Sequence, residues 1–203
     1  MNAVFTYNQE MATQIGGGGQ YVTESGGYDL KIVRAVFANN KALEMDFETR
    51  DGLKLNYVSI NYTKNDGQPN EFGQKMIHAI MGCVGVNQLS QAADGNVPEL
   101  IGKFVKGIVQ RVDYTKTGGA NPGSDGYKFD FKLPAMMQSG KTIKEHLDNK
   151  PAEAFSKYAE TVTNKDERVA GGGAIGHSNT PQQQHTQPQY NELPSDSDLD
   201  IPF

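Results

Sequence analysis

The chain has 203 residues, 36% of them hydrophobic, with 23 glycines and a formal charge of −5. That length suits one domain with an appendage or two small domains, and the low apolar fraction, against about 45–50% with glycine included for globular proteins, predicts that part of the chain packs into no core. No apolar run approaches the ~20 residues of a membrane span, the N-terminus lacks a basic stretch followed by an apolar block, and the single cysteine, Cys83, excludes an intramolecular disulfide framework or a multi-cysteine zinc site; together these predict a soluble protein of a reducing, cytoplasmic compartment.

Residues 1–26 read as an N-terminal arm. Gly16 to Gly19 form a flexible break without the glycine-lysine ending of a phosphate cradle. From Gly27 the pattern becomes that of strands. Tyr28 to Phe37 has β-branched content and alternation, and Asn39-Asn40 can take positive φ and turn the chain. In Ala42 to Thr49, Leu43, Met45 and Phe47 alternate with Glu44, Asp46 and Glu48. Asp51-Gly52 is a strong hairpin signal. Leu53 to Tyr62 is a third strand whose apolar residues fall on both faces, which predicts a bulge or burial on both sides.

The period then changes. Phe72, Met76, Ile77, Ile80 and Met81 fit an amphipathic helix over 71–83, closed by Gly82 and Gly85. Lys103 to Tyr114 reads as a fourth strand, Thr117 to Gly126 as a long glycine-rich loop, and Tyr127 to Leu133 as a fifth strand. Thr142–Leu147 and Pro151–Thr163 read as short helices, with Pro151 suited to a first turn. Residues 27–163 thus form the folded domain and residues 164–195 a Gly-, Gln-, Asn- and Pro-rich linker expected to be disordered. Three strands, a helix, then two strands is the element order of a mainly β, five-stranded OB-fold barrel, whose ligand face is bordered by the strand 1–2 and strand 4–5 loops. A five-stranded sandwich with a covering helix gives a similar string.

The charge is uneven. Residues 1–163 carry 17 basic and 18 acidic side chains, whereas nothing beyond Arg168 is basic and Glu192, Asp196, Asp198 and Asp200 crowd the last twelve positions. The chain ends Asp196-Ser197-Asp198-Leu199-Asp200-Ile201-Pro202-Phe203. This tip resembles the acidic end of bacterial and phage single-stranded-DNA-binding proteins, in which aspartates after a polar linker terminate in Ile-Pro-Phe. Ser197 and Leu199 interrupt the aspartates, so this version carries less charge than the usual form. Region 28–134 more closely resembles the divergent OB domain of small phage members.

The resemblance implies a non-enzymatic protein without cofactor that coats single-stranded DNA in replication, recombination or repair and recruits partner enzymes through residues 196–203. The tip suits that task. Phe203 joins a large apolar side chain to a carboxylate, Pro202 lowers the ordering cost, Ile201 adds apolar surface, and Asp196, Asp198 and Asp200 attract a basic surface. A linker of ~30–40 residues reaches roughly 30–35 Å. A replication or recombination adaptor with weak DNA binding is the alternative, and a DNA-processing enzyme a lesser one. Short single-domain grooves of roughly 4–16 nucleotides make a homo-oligomer useful.

Single strands are held by cationic grooves and aromatic faces. The candidates are Lys31, Arg34, Lys54, Tyr57, Tyr62, Lys106, Arg111, Tyr114, Lys116, Lys128 and Lys132. On the fifth strand, alternation sets Lys128 and Lys132 opposite Tyr127 and Phe129, so one set is expected to be core, and Phe129 and Phe131 are assigned there. Ala135 to Thr142 resembles the end of a P-loop, but Ala135 replaces the first glycine and no later strand can supply a magnesium-binding aspartate. His78, His146, His177 and His185 have no ligand spacing, and Cys83 is expected to be buried and inert.

Overall fold

The computed structural model describes residues 20–119 and 121–168. The arm before Gln20, the linker beyond Arg168 and the tip residues Asp196, Asp198, Asp200, Ile201, Pro202 and Phe203 lie outside the described residues. In chain order the elements are β1 (Gly26–Ala38), β2 (Ala42–Thr49), β3 (Lys54–Asn61), α1 (Glu71–Val84), β4 (Phe104–Thr115), β5 (Asp125–Met136), α2 (Ile143–Leu147), α3 (Ala154–Thr161) and β6 (Lys165–Asp166).

The protein is mainly β. One sheet runs β3-β2-β1-β4-β5, each neighbour antiparallel, with β6 added parallel to β4. β1 is shared along its length: Gly26–Lys31 pair with β4, and Leu30–Ala38 pair with β2. A register shift at Val33 and others in the β2–β3 and β4–β5 ladders bend the sheet, because a bulge raises the local twist. The bulge expected in the third strand is among them. The two ends of the path, β3 and β5, come within 8 Å between Cα atoms, but no ladder joins them among the described residues, so the sheet is open there.

The alternation read in the strands places the core. Leu43, Met45 and Phe47 of β2 are buried with Leu30 and Ile32 of β1, Leu55 and Val58 of β3, Val105 and Val109 of β4, and Phe129 and Phe131 of β5. Phe47 and Phe131 stack across the interior at 5.8 Å. Gly107 makes room for this packing. A Cβ there would lie 2.6 Å from Leu30 and 2.7 Å from the Phe131 ring. Turn chemistry is also local: Gly52 takes φ 79°, while in the β1–β2 turn the left-handed residue is Lys41, at φ 60°, rather than either asparagine.

Helix α1 covers one end of the sheet through Met76, Ile77 and Ile80. Phe72, expected on this face, is 67% exposed. Gly73 turns inward instead, so close to β3 that a Cβ would sit 1.9 Å from the Asn61 carbonyl oxygen, and that approach sets the helix rotation. Asn70 caps the helix by accepting from the Gly73 N–H and donates its own amide to Asn61. Among the described residues no helix is long and apolar enough to cross a membrane.

Both ends of the folded body extend past the boundaries expected from composition. Val22 is 2% exposed in the core, and Gln20 and Val22 exchange backbone hydrogen bonds with Lys54. At the other end, Lys165 and Asp166 pair with Val112 and Asp113 where β1 no longer covers β4. Asn164 accepts from Ser25, and Arg168 pairs with Asp125 and Asp166. Hydrogen bonds to an otherwise bare strand edge order both segments despite their polarity.

Candidate functional site

The open side of the sheet is a cleft of ≈ 580 Å³ between β3 and β5. Buried Val22, Leu55 and Phe129 form its floor. Its walls carry four tyrosines, Tyr21, Tyr57, Tyr114 and Tyr127, with Lys54 and Lys128. Tyr57 is 75% exposed, Tyr21 50% and Tyr127 48%. Their rings are therefore available to a planar partner, while the hydroxyls tolerate water.

Each side chain is placed by a local feature. Tyr57 stands on the β3 bulge with φ 60°. Tyr127 follows Gly126 near the start of β5 and is braced edge-on by Phe129 at 5.8 Å, with the Arg111 guanidinium 4.5 Å from its ring centroid. Arg111 is fixed by Asp113 at 2.8 Å and by donating to the Thr23 carbonyl. Tyr114 and Lys116 both lie over Gly126. Tyr21 is brought in by its bridge to Lys54.

Of the residues expected to contact DNA, Lys54, Tyr57, Tyr114 and Lys128 line this cleft, Arg111 stacks on its wall, and Lys116 sits beside Tyr114. The others are elsewhere. Lys31 lines a separate ≈ 410 Å³ cleft with Arg50, Phe104 and Met137. Arg34 is held by Asp46 at 3.5 Å and Glu44 at 3.9 Å. Lys106 is held by Asp29 at 2.6 Å and lies 5.8 Å from the Phe155 ring. Lys132 pairs with Asp130. Tyr62 packs edge-on against Phe37 beside α1.

Two further tyrosines belong to the cleft. Tyr21 falls in the segment that composition reads as an arm, although its neighbours Val22 and Thr23 favour extended backbone. Tyr127 is one of the interleaved aromatics of the fifth strand, which alternation sets on the face opposite Lys128, as is sound for the middle of a sheet. β5, however, ends the hydrogen-bonded path, and side chains from both faces reach an edge, so Tyr127 and Lys128 line one cleft. Phe129 and Phe131 are core, at 8% and 5% exposure, as alternation predicts.

The segment resembling a P-loop has a different use. Thr142 caps α2, and the Glu145 carboxylate accepts from the Thr142 N–H and hydroxyl and from the backbone N–H groups of Glu153 and Ala154. A carboxylate of the protein thus occupies the donors a phosphate would need. The Ala154 and Thr142 N–H groups hold its pKa down to about 2. Burial raises the Cys83 thiol to about 11, so it stays neutral and unreactive near pH 7. Among the described residues no cluster of three or more His, Cys, Asp or Glu side chains could hold a metal ion. What the cleft offers is stacking surface and positive charge. Comparison of the chain with protein-family models and with curated proteins finds no match.

Proposed function

We propose that the protein binds single-stranded DNA without transforming it, and that bases stack on the tyrosines of the cleft while Lys54, Lys116 and Lys128 neutralise phosphates. The observation that carries this reading is the convergence of four tyrosines and two lysines between two strand edges. Stacking on an aromatic ring is worth about 1–3 kcal/mol per base and tolerates any sequence. It also selects single strands, since a base inside a duplex has both faces covered. We read the body as an OB-fold barrel left open between β3 and β5. In support are the strand order, the helix between β3 and β4, and the approach of the two end strands. The acidic tip, residues 196–203, then recruits replication, recombination or repair enzymes by its aspartates and Phe203.

Titrating a fluorescent oligo-dT into the full-length protein at several salt concentrations, with duplex as competitor, tests the reading. Salt-dependent binding that duplex does not displace is expected. Equal affinity for duplex, or no binding at low salt, would overturn it. A second reading, an adaptor that binds DNA poorly, draws on one observation: Arg34, Lys106, Arg111, Lys128 and Lys132 each already face a carboxylate. On that reading partner capture through Phe203 survives while oligo-dT binding is negligible.

A further inference from the structure

The bulge that carries Tyr57 has its own support. The β2–β3 register pairs Met45 with Val58 and Phe47 with Leu55, so Asn56 and Tyr57 stand opposite Asp46 alone. Tyr57 takes φ 60°. The other non-glycine residues at positive φ among those described, Lys41 and Asn149, lie in turns. A bulky side chain in the left-handed region inside a strand persists only where its surroundings hold it.

The holding groups run across three strands. The Tyr57 N–H, which the bulge removes from the ladder, donates to Asp46 Oδ1 at 2.7 Å. Asp46 Oδ2 lies 3.5 Å from Arg34 Nη1, and Arg34 is the residue opposite Asp46 in the β1–β2 register. Arg34 Nη1 is buried and forms no hydrogen bond, so its link to Asp46 is an ion pair across 3.5 Å, with Glu44 3.9 Å from the second nitrogen. The Asp46 side chain is itself only 17% exposed. A carboxylate suits this place because one oxygen accepts from the Tyr57 N–H while the other turns its negative charge to the guanidinium.

The geometry points to Asp46, braced by Arg34, as a positioning residue that fixes the left-handed bulge and so sets the Tyr57 ring over the cleft. Arg34 then serves the ligand site from behind, with its charge committed to Asp46 and not to phosphate. The clamp exists whether or not the ligand is DNA; its effect on affinity rests on the reading given above.

The test combines amide exchange with binding in the full-length protein. In Asp46→Ala, the Tyr57 amide should exchange about tenfold faster, the effect of losing one hydrogen bond, while amides of β4 and α1 keep their rates. Oligo-dT affinity should fall about as far as in Tyr57→Ala, and the double variant should be no worse than Tyr57→Ala alone, since coupled residues are not additive. Asp46→Asn, which keeps one acceptor, should recover part of both losses. Unchanged Tyr57 exchange in Asp46→Ala, or additive affinity losses, would overturn the inference. Should the wild type not bind oligo-dT, the reading of the cleft fails, and Tyr57 exchange still decides the clamp. If Asp46→Ala fails to fold, Asp46→Asn and Arg34→Gln carry the same two measurements.

Discussion

On the outer face of β1, Arg34 faces Asp46 and Glu44, and Lys106 faces Asp29 at 2.6 Å. At the β3–β5 edge, Lys54 and Lys116 enter none of the ion pairs formed among the described residues, and three of the four tyrosines around them are exposed. Both regions are rich in basic residues. They differ in whether a carboxylate closes on the charge. Arg34 has Asp46 opposite in β2 and Lys106 has Asp29 opposite in β1, and both pairs form. Lys54 has Glu48 opposite without pairing to it, and Lys116 follows the last residue of β4. On β5, Lys128 and Lys132 both face Asp130, so availability depends on the local carboxylate and not on the strand alone.

The largest effect on the body, separable from the cleft, is expected from Gly73→Ala. Its Cβ would meet the Asn61 carbonyl, a backbone group that cannot swing aside. Urea denaturation should show a loss of about 3 kcal/mol, the upper range for overpacking, with oligo-dT affinity kept under conditions where the protein remains folded. A loss below about 0.5 kcal/mol, the range of a neutral surface change, would mean that α1 is not anchored there.

Next are the tyrosines. Tyr57→Ala and Tyr127→Ala should each weaken oligo-dT binding by about 5- to 100-fold, the worth of one stacked base, whereas Lys106→Ala should change it less than twofold. Equal losses at both places would erase the contrast between edge and interior of the sheet. Tyr57→Gly should lose affinity to the same degree yet raise the melting temperature, because glycine adopts φ 60° without steric cost.

Acid should act on α2 and α3 before the cleft. Glu145 has a pKa lowered from 4.5 to about 2. A group whose pKa is depressed on folding stabilises the fold above its unfolded value and loses that contribution as pH falls through the folded one. The melting temperature should therefore decline between pH 4.5 and about 2, and Glu145→Gln should flatten that decline. An identical decline in the variant would assign it to other carboxylates.

The smallest effects are in the salt dependence. Lys54→Ala and Lys116→Ala should each reduce the slope of log affinity against log salt by about 0.7, one phosphate contact on a single strand. Arg34→Gln should leave the slope unchanged even where it lowers affinity, since its charge is already spent on Asp46. A lower slope in that variant would place Arg34 on phosphate after all.

The residues that stay silent in the sequence are instructive. Tyr57 looks like an ordinary member of an irregular strand, and nothing in Asn56-Tyr57-Val58 announces a left-handed backbone. The signal was indirect: apolar residues on both faces of Leu53–Tyr62 predicted a bulge without locating it. Arg34 and Lys106 read as solvent-facing cations, because the carboxylates that neutralise them come from another strand, Glu44 and Asp46 of β2 for Arg34 and Asp29 of β1 for Lys106. Residues 164–168 read as linker because their order comes from the β4 edge.

What the sequence determined by itself was strands β1 to β5 and the three helices, the face that β2 buries and the hairpin at Asp51-Gly52. These follow from period and turn residues, which act over a few neighbouring positions. The tertiary structure alone decided which two strands would end the sheet, and hence that Tyr21, Tyr57, Tyr114 and Tyr127, from three distant segments, would share one cleft. Pairing order and bulge position depend on contacts between residues far apart in the chain, and local propensity carries no record of them.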